Sequence, residues 1–409
     1  MSANGVHVIT LVFFTMTNSS FPLEGIKVLD LSAYIAGPYG CNLLADMGAE
    51  VIKIEPPEGD NLRKYPSTLP GESRAFLGVN RGKYGICLDL KTERGYEVFL
   101  RLAKQADVIV HNFRPSVPAR LRIDYETLRQ LNPNLVYCSL TGYGQYGPLA
   151  SRAGYDQVLQ ARTGICASQG TPDNPAIVYG SVVDYYGAAM LSNGITAALL
   201  HRERTGEGQH VAVSLLSSAL AMQAARLVVA ENEPRDINRD MRSGGITGIH
   251  PTRQGHIYIS ANTAHFWKAL CQRIGLPELA ESERYDSVKK RAEHVDELVP
   301  VLRDALQARS AHEWESLFGD QVPCSVVRSV EDVFEDAQVQ AQGLVQQYEH
   351  AQFGRYKTIA NPISFGLSTG DRQLSRAPSL GEHTRAVMRE LGYSDADISQ
   401  AIEDHSVIA

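Results

Sequence analysis

The sequence predicts an α/β protein built on a parallel, doubly wound sheet, with a second and smaller domain. Three observations carry that prediction. Short β-branched runs alternate with amphipathic helical stretches from residue 25 to about residue 215, at spacings that suit strand–helix–strand crossovers. The 409 residues are 44% hydrophobic and 21% charged, enough to bury one large core and one smaller one. Between about residues 221 and 250 the alternation stops in a long helix and a polar, glycine-containing connection.

Gly25-Ile-Lys-Val-Leu-Asp-Leu-Ser32 reads as the first strand, followed by a helix through Leu43, Leu44 and Met47. Glu50-Val-Ile-Lys-Ile-Glu55, closed by Pro56-Pro57, is the second strand, and Ile86 to Leu90 the third. Thr92 caps a helix with Glu93 in its first turn, where Tyr96, Phe99, Leu100 and Ala103 share one apolar face. Asp107 to His111 and Leu135 to Leu140 are the fourth and fifth strands, with a short helix at Tyr125 to Leu131 between them. A glycine-rich loop at 142–147 and a helix from Tyr155 to Arg162 precede an alanine-rich helix from Tyr185 to about Arg204 and a strand from Gln209 to Leu215. The expected boundaries are 21–220 for the first part of the large domain, 221–250 for a linker, 251–335 for the small domain, and 336–409 for a return to the large domain.

Composition excludes several function classes. The formal net charge of -7 argues against a general nucleic-acid binder. Residues 61–122 nevertheless hold twelve Lys and Arg against five Asp and Glu, and a basic region on an acidic chain suits a small polyanionic ligand. The six cysteines are scattered, show no C-x-x-C, and read as reduced core residues of a cytoplasmic protein without a metal site. Beyond the first fifteen residues no hydrophobic run approaches the roughly 20 residues of a membrane span. Val6 to Phe14 is apolar but lacks the basic start of a signal peptide, so residues 1–20 are expected to be an extension outside the fold, with translation opening at Met16.

Gly142-Tyr-Gly144-Gln-Tyr-Gly147 fits G-x-G-x-x-G, but it follows the fifth strand rather than the first and runs into Pro148, so a dinucleotide site is not expected. Its glycines suit backbone N–H donation to a developing oxyanion instead. Asp184 ends Gly180-Ser-Val-Val183 and stands at or beside the start of the alanine-rich helix. It reads either as a simple helix cap or as a carboxylate nucleophile, with the helix terminus expected to keep it ionised.

Taken together, several segments resemble a known family. They are Pro22 to Ser32, Ala36-Gly-Pro38, Gly48 to Glu55, Asn80-Arg-Gly-Lys83, Leu88 to Lys91, Ala106 to Pro115, Gly142-Tyr-Gly144, Arg204 to Gln209 and Leu380-Gly-Glu-His383. The chain from about residue 20 onward is similar to the class III coenzyme A transferases of CaiB/BaiF type. The resemblance implies a Rossmann-like large domain with an inserted smaller α/β domain, and two chains interlocked as a homodimer. It implies coenzyme A as a substrate rather than a permanent cofactor, a small carboxylic acid as its partner, and no membrane or nucleic-acid partner. Asp184 is then the nucleophile, forming an aspartyl anhydride and next an aspartyl-CoA thioester. Gly142, Tyr143, Gly144, Tyr155, Gly244 and Gly245 are expected in the substrate loops. Ala36, Asn80, Arg81, Lys83, Asn112, Phe113 and Arg120 are expected to hold coenzyme A.

The same family contains α-methylacyl-CoA racemases, whose A-G-H-D motif reads Ala153-Gly-Tyr155-Asp156 here. Tyrosine, with a reference pKa near 10, is a poor base at neutral pH. That departure favours transfer over racemisation. An acyl-CoA-binding protein without catalysis is the third reading, against which an intact Asp184 stands. Arg242 and His250 are further candidates for reading a second carboxylate on the acceptor.

Overall fold

Alternating apolar side chains on each strand face opposite sides of the sheet, and the two helix layers follow from that alternation. In the computed structural model, which describes residues 21–170, 173–232, 246–366 and 374–409, strands β1 (Lys27–Asp30), β2 (Glu50–Glu55), β3 (Lys83–Leu88), β4 (Val108–His111), β5 (Val136–Thr141) and β6 (His210–Ser214) lie in the order 3-2-1-4-5-6. All these neighbours pair in parallel. A short strand near the C-terminus, Val407–Ile408, adds antiparallel to β3. Val28, Val51, Val108 and Val136 meet helices α1 (Ala36–Asp46) and, later in the chain, Val182–Thr205 on one face. Leu29, Ile52, Ile86 and Ile109 face the other layer, which includes the Glu93–Gln105 helix and the C-terminal Asp395–Glu403 helix.

By chain contacts there are two units, Met1–Val228 with Gly343–Ala409, and Val229–Gln342. The second has its own core, with Trp267, Trp314 and Phe318 packed on a three-stranded antiparallel sheet, Gly248–Pro251, His256–Ile259 and Cys324–Val326. Among the described residues no helix is long and apolar enough to cross a membrane.

Two expectations about elements need correction. The third strand begins at Lys83, three residues before the predicted Ile86, because its lysine is buried and paired and so does not mark an exposed end. The long helix expected after residue 220 is absent among the described residues, where a helix spans only Leu215–Ala221 and the chain to 232 is turn and irregular. Leu227, Val228 and Val229 stand exposed there, so a helix would gain no buried face against the described residues.

Three ion pairs are sealed beneath the strand ends. Lys83 Nζ lies 2.8 Å from Asp30, Lys53 Nζ 3.0 Å from Asp60, and Arg81 Nη2 2.6 Å from Asp46, with all six side chains at most 2% exposed. Burial opposes the charge on Asp30, but the Lys83 and Lys53 ammonium groups outweigh it and hold its carboxyl down at about 2. Breaking a buried pair leaves an uncompensated charge in the core. Lys83→Met is therefore expected to lower the unfolding free energy by about 3–5 kcal/mol, and adding Asp30→Asn to restore most of it. Denaturant titration checks this; a loss below about 1 kcal/mol for the single variant would contradict the structural role of the pair.

Candidate active site

In an open α/β sheet the crevice forms at the carboxyl ends of the strands where the order reverses, here between β1 and β4. A cavity of about 860 Å³ lies there, lined by the segments that follow β1, β2, β3, β4 and β5. The reversal is pinned by Asn112, whose side-chain oxygen accepts the Ala33 N–H at 3.0 Å and whose amide donates to the Ala33 carbonyl at 2.7 Å. Phe113 beside it stacks on the His111 ring, with centroids 5.4 Å apart. Burial, with a smaller contribution from His210, drives His111 down to about 3, so it packs as a neutral ring.

Asp184 faces this cavity from the third position of the Val182–Thr205 helix. The cap position belongs to Ser181, which is left-handed (φ 56°, ψ 47°) and makes no side-chain cap bond. The exposed N–H groups go instead to Asp156, the buried first residue of the Asp156–Arg162 helix. Asp156 Oδ2 accepts from Val183 N at 2.6 Å and from Asp184 N at 3.0 Å. Asp184 is thus not the cap, and the expectation that the helix terminus keeps it ionised does not hold. Burial, and then the charge of Asp156, push its carboxyl up to about 7.

Tyr155 lines the same cavity, 51% exposed, with its ring edge-on to Tyr34 at 5.8 Å. Tyr34 is left-handed at φ 65°, held by its N–H donating to Asp60 Oδ1 at 3.1 Å. Nothing in the sequence marks that tyrosine, since the non-glycine residues enriched at positive φ are Asn, Asp and His. Gly142 lines the cavity because the chain crosses itself there: a Cβ would lie 2.6 Å from the Gly154 Cα. Tyr143 and Gly144 are outside the lining. The Gly144 N–H donates to Thr141 Oγ1 at 3.0 Å, so it is not free for an oxyanion, as had been expected. Gly244, Gly245 and Arg242 lie outside the described residues.

The expected coenzyme A residues separate into two groups. Ala36, Asn112 and Phe113 line the cavity. Asn80, Arg81 and Lys83 do not: all three are fully buried, Arg81 on Asp46 and Lys83 on Asp30, Asn80 and the Pro38 carbonyl. Their expected contact with the ligand is corrected to support of the strand ends. Arg120 is exposed at the end of its short helix and also outside the lining. The cations that do line the cavity are Lys91, Arg114 and Arg152. Lys91 and Arg114 stood inside recognisable motifs, but spacing alone did not separate them from their buried neighbours. His250, in the second unit, is fully buried with Nε2 3.0 Å from the Ile246 carbonyl, so it is no surface reader of carboxylates.

Residues 23–384 match the CoA-transferase family III. The chain is 35% identical over 389 residues to succinate–glutarate CoA-transferase of Agrobacterium fabrum, covering 92% of this chain and 97% of the relative. It is 34% identical over 382 residues to acetyl-CoA:oxalate CoA-transferase of Acetobacter aceti, covering 92% and 97%. Among solved structures it is similar to a CaiB/BaiF family protein of Brucella suis, with TM-score 0.78, 32% identity, and 91% and 99% of the two chains covered. With Asp184 lining a large cavity at the strand-order reversal, the chain belongs to the CoA-transferase family III, enzymes that move coenzyme A between acyl-CoA thioesters and carboxylic acids.

Proposed function

We propose that the protein exchanges coenzyme A between an acyl-CoA and a small dicarboxylic acid through covalent intermediates on Asp184. The observation that carries this reading is a carboxyl raised to about 7 at the head of a helix, facing a cavity lined by Lys91, Arg114 and Arg152. The Asp184 carboxylate attacks the thioester carbonyl, forming an acyl anhydride and releasing the thiolate of coenzyme A. The thiolate then attacks the Asp184 carbonyl, giving an aspartyl thioester and the free donor acid. The acceptor carboxylate reverses both steps, so each bond broken is matched by one formed. The three cations suit the phosphates of coenzyme A and the carboxylates of a dicarboxylic acid. Relatives whose names specify succinate, glutarate and oxalate support the acceptor class.

Among the described residues no histidine lines the cavity, and Tyr155 occupies the place of the racemase base, which favours transfer over α-proton chemistry. The cytoplasm, where acyl-CoA and the small acids meet, is the compartment proposed. The interlocked homodimer is part of the same proposal. Leu220, Met222, Leu227, Val228 and Val229 stand exposed along one run in the single chain, as a surface covered by a second copy would.

Because the reactive form is the carboxylate, the exchange rate should rise about tenfold per pH unit below 7 and level off above it. Asp184→Asn is expected to reduce exchange by about three orders of magnitude or more. The raised acid stays protonated in the folded chain while the unfolded one ionises near pH 4, so wild-type stability falls as pH rises from about 4 to 7. Asp184→Asn should therefore match or exceed the wild-type melting temperature at pH 8; wild-type exchange in this variant would refute the assignment. In heavy water the α-proton of a 2-methylacyl-CoA should remain in place, whereas deuterium entering as fast as coenzyme A moves would establish racemisation. Tagged and untagged dimers, mixed and left without denaturant, should not exchange subunits; rapid formation of mixed dimers would rule out interlocking.

A further inference from the structure

Helix N-termini leave N–H groups unsatisfied, and an aspartate in the first turn ordinarily turns back toward them. Asp184 does not do so. Its own N–H and that of Val183 are already taken by Asp156 Oδ2, at 3.0 and 2.6 Å, and its carboxylate accepts no hydrogen bond among the described residues. Asp156 is itself anchored. Gln160 Nε2 donates to its Oδ1 at 2.5 Å and to the Val178 carbonyl at 2.9 Å, while Gln160 Oε1 accepts the Val178 N–H at 2.8 Å. The Val178 segment leads into Gly180 and Ser181, both at positive φ, so a single side-chain pair fixes the chain on both sides of the turn that delivers Asp184.

We infer that Asp156 is a positioning residue for the reaction: it caps from a neighbouring helix the terminus that Ser181 leaves uncapped, and so frees the Asp184 carboxylate to point at the thioester. This rests on the reading of Asp184 as nucleophile. The choice of residue is informative, because a serine or asparagine would satisfy the same N–H groups without a charge. A second carboxylate beside the first makes the first more basic and a better nucleophile. Among the described residues no cation pairs with either carboxylate at this turn. On the two packed helices Tyr39 and Tyr185 are phenols whose pKa burial raises, with ring centroids 4.9 Å apart edge-on. The Asp156–Arg162 helix brings Asp156 with the uncharged Gln157 and Val158, the segment after β6 the uncharged Leu215, and the loop before that helix Tyr155 and Arg152 on the cavity wall.

Two variants separate aim from charge. Asp156→Asn removes the charge and offers one acceptor where two are used; Asp156→Glu keeps the charge but moves it by one methylene. For Asp156→Asn we expect kcat to fall at least about 30-fold, KM for acyl-CoA to stay within about threefold, and the acid limb of the rate profile to move down by about one pH unit. For Asp156→Glu the same loss of kcat is expected with the midpoint unmoved. A readout without substrate keeps the inference separate from the catalytic reading. The pH at which carbodiimide with an amine modifies half of the Asp184 peptide, followed by mass spectrometry, should be near 7 in the wild type and lower in Asp156→Asn. An unshifted modification midpoint would overturn the inference even if Asp184 is the nucleophile, whereas a shifted midpoint with exchange carried by another residue would refute the reading of Asp184 and leave only the charge coupling between the two carboxylates. If Asp156→Asn does not fold, Asp156→Glu decides alone: kcat within threefold of wild type would overturn the positioning role.

Discussion

The structure depends on one reversal of strand order. Chain leaving β1 passes to one side of the sheet and chain leaving β4 to the other, so the backbone separates and a crevice opens above both strands. Asn112 ties the two departing segments together through Ala33, which sets the width of that opening. The charges beneath it, Asp30, Lys53, Asp60 and Lys83, are spent on one another. Asp60 adds the Tyr34 N–H and holds a strained tyrosine at the rim. The floor is therefore rigid and electrically satisfied. The cations Lys91, Arg114 and Arg152, which form no ion pair among the described residues, stand on the walls, where a polyanion has access.

Against that floor the Asp184 carboxyl is the exception. It is largely withdrawn from water and set near another carboxylate, which raise it to about 7, and among the described residues it has no cation and no hydrogen-bond donor. Such an arrangement costs stability whenever the group is ionised. It yields a nucleophile that is appreciably charged at neutral pH yet more basic than a solvated aspartate. Glycine serves the same site through space rather than through N–H donation: Gly142 and Gly154 let two backbone segments touch, and the Gly144 N–H closes its own loop.

The sheet was readable because its signal is local. Periodicity placed the strands that carry Val28, Val51, Val108 and Val136, and the Thr92 cap starts its helix as predicted, accepting the Gly95 N–H. Asp184 was singled out by its place after Gly180-Ser-Val-Val183 at the start of a helix and by family resemblance, and the family is shown by the match over residues 23–384. What could not be read is set by long-range pairing. Whether Lys83, Arg81 or Arg114 meets a ligand depends on which carboxylate lies opposite, 53 residues away for Lys83 and 35 for Arg81. The helix expected after residue 220 failed for a related reason, since composition favoured it but Leu227, Val228 and Val229 find no apolar cover among the described residues.

The central claim is that coenzyme A passes through Asp184, and the oxygen atoms record it. In turnover with an acceptor acid carrying 18O in both carboxylate positions, the acceptor's attacking oxygen must remain on Asp184 and leave with the next donor acid. At steady state each released donor acid should carry one labelled oxygen, and the peptide containing Asp184 should carry label when the reaction is quenched. Unlabelled donor acid with unimpaired exchange would contradict the covalent account.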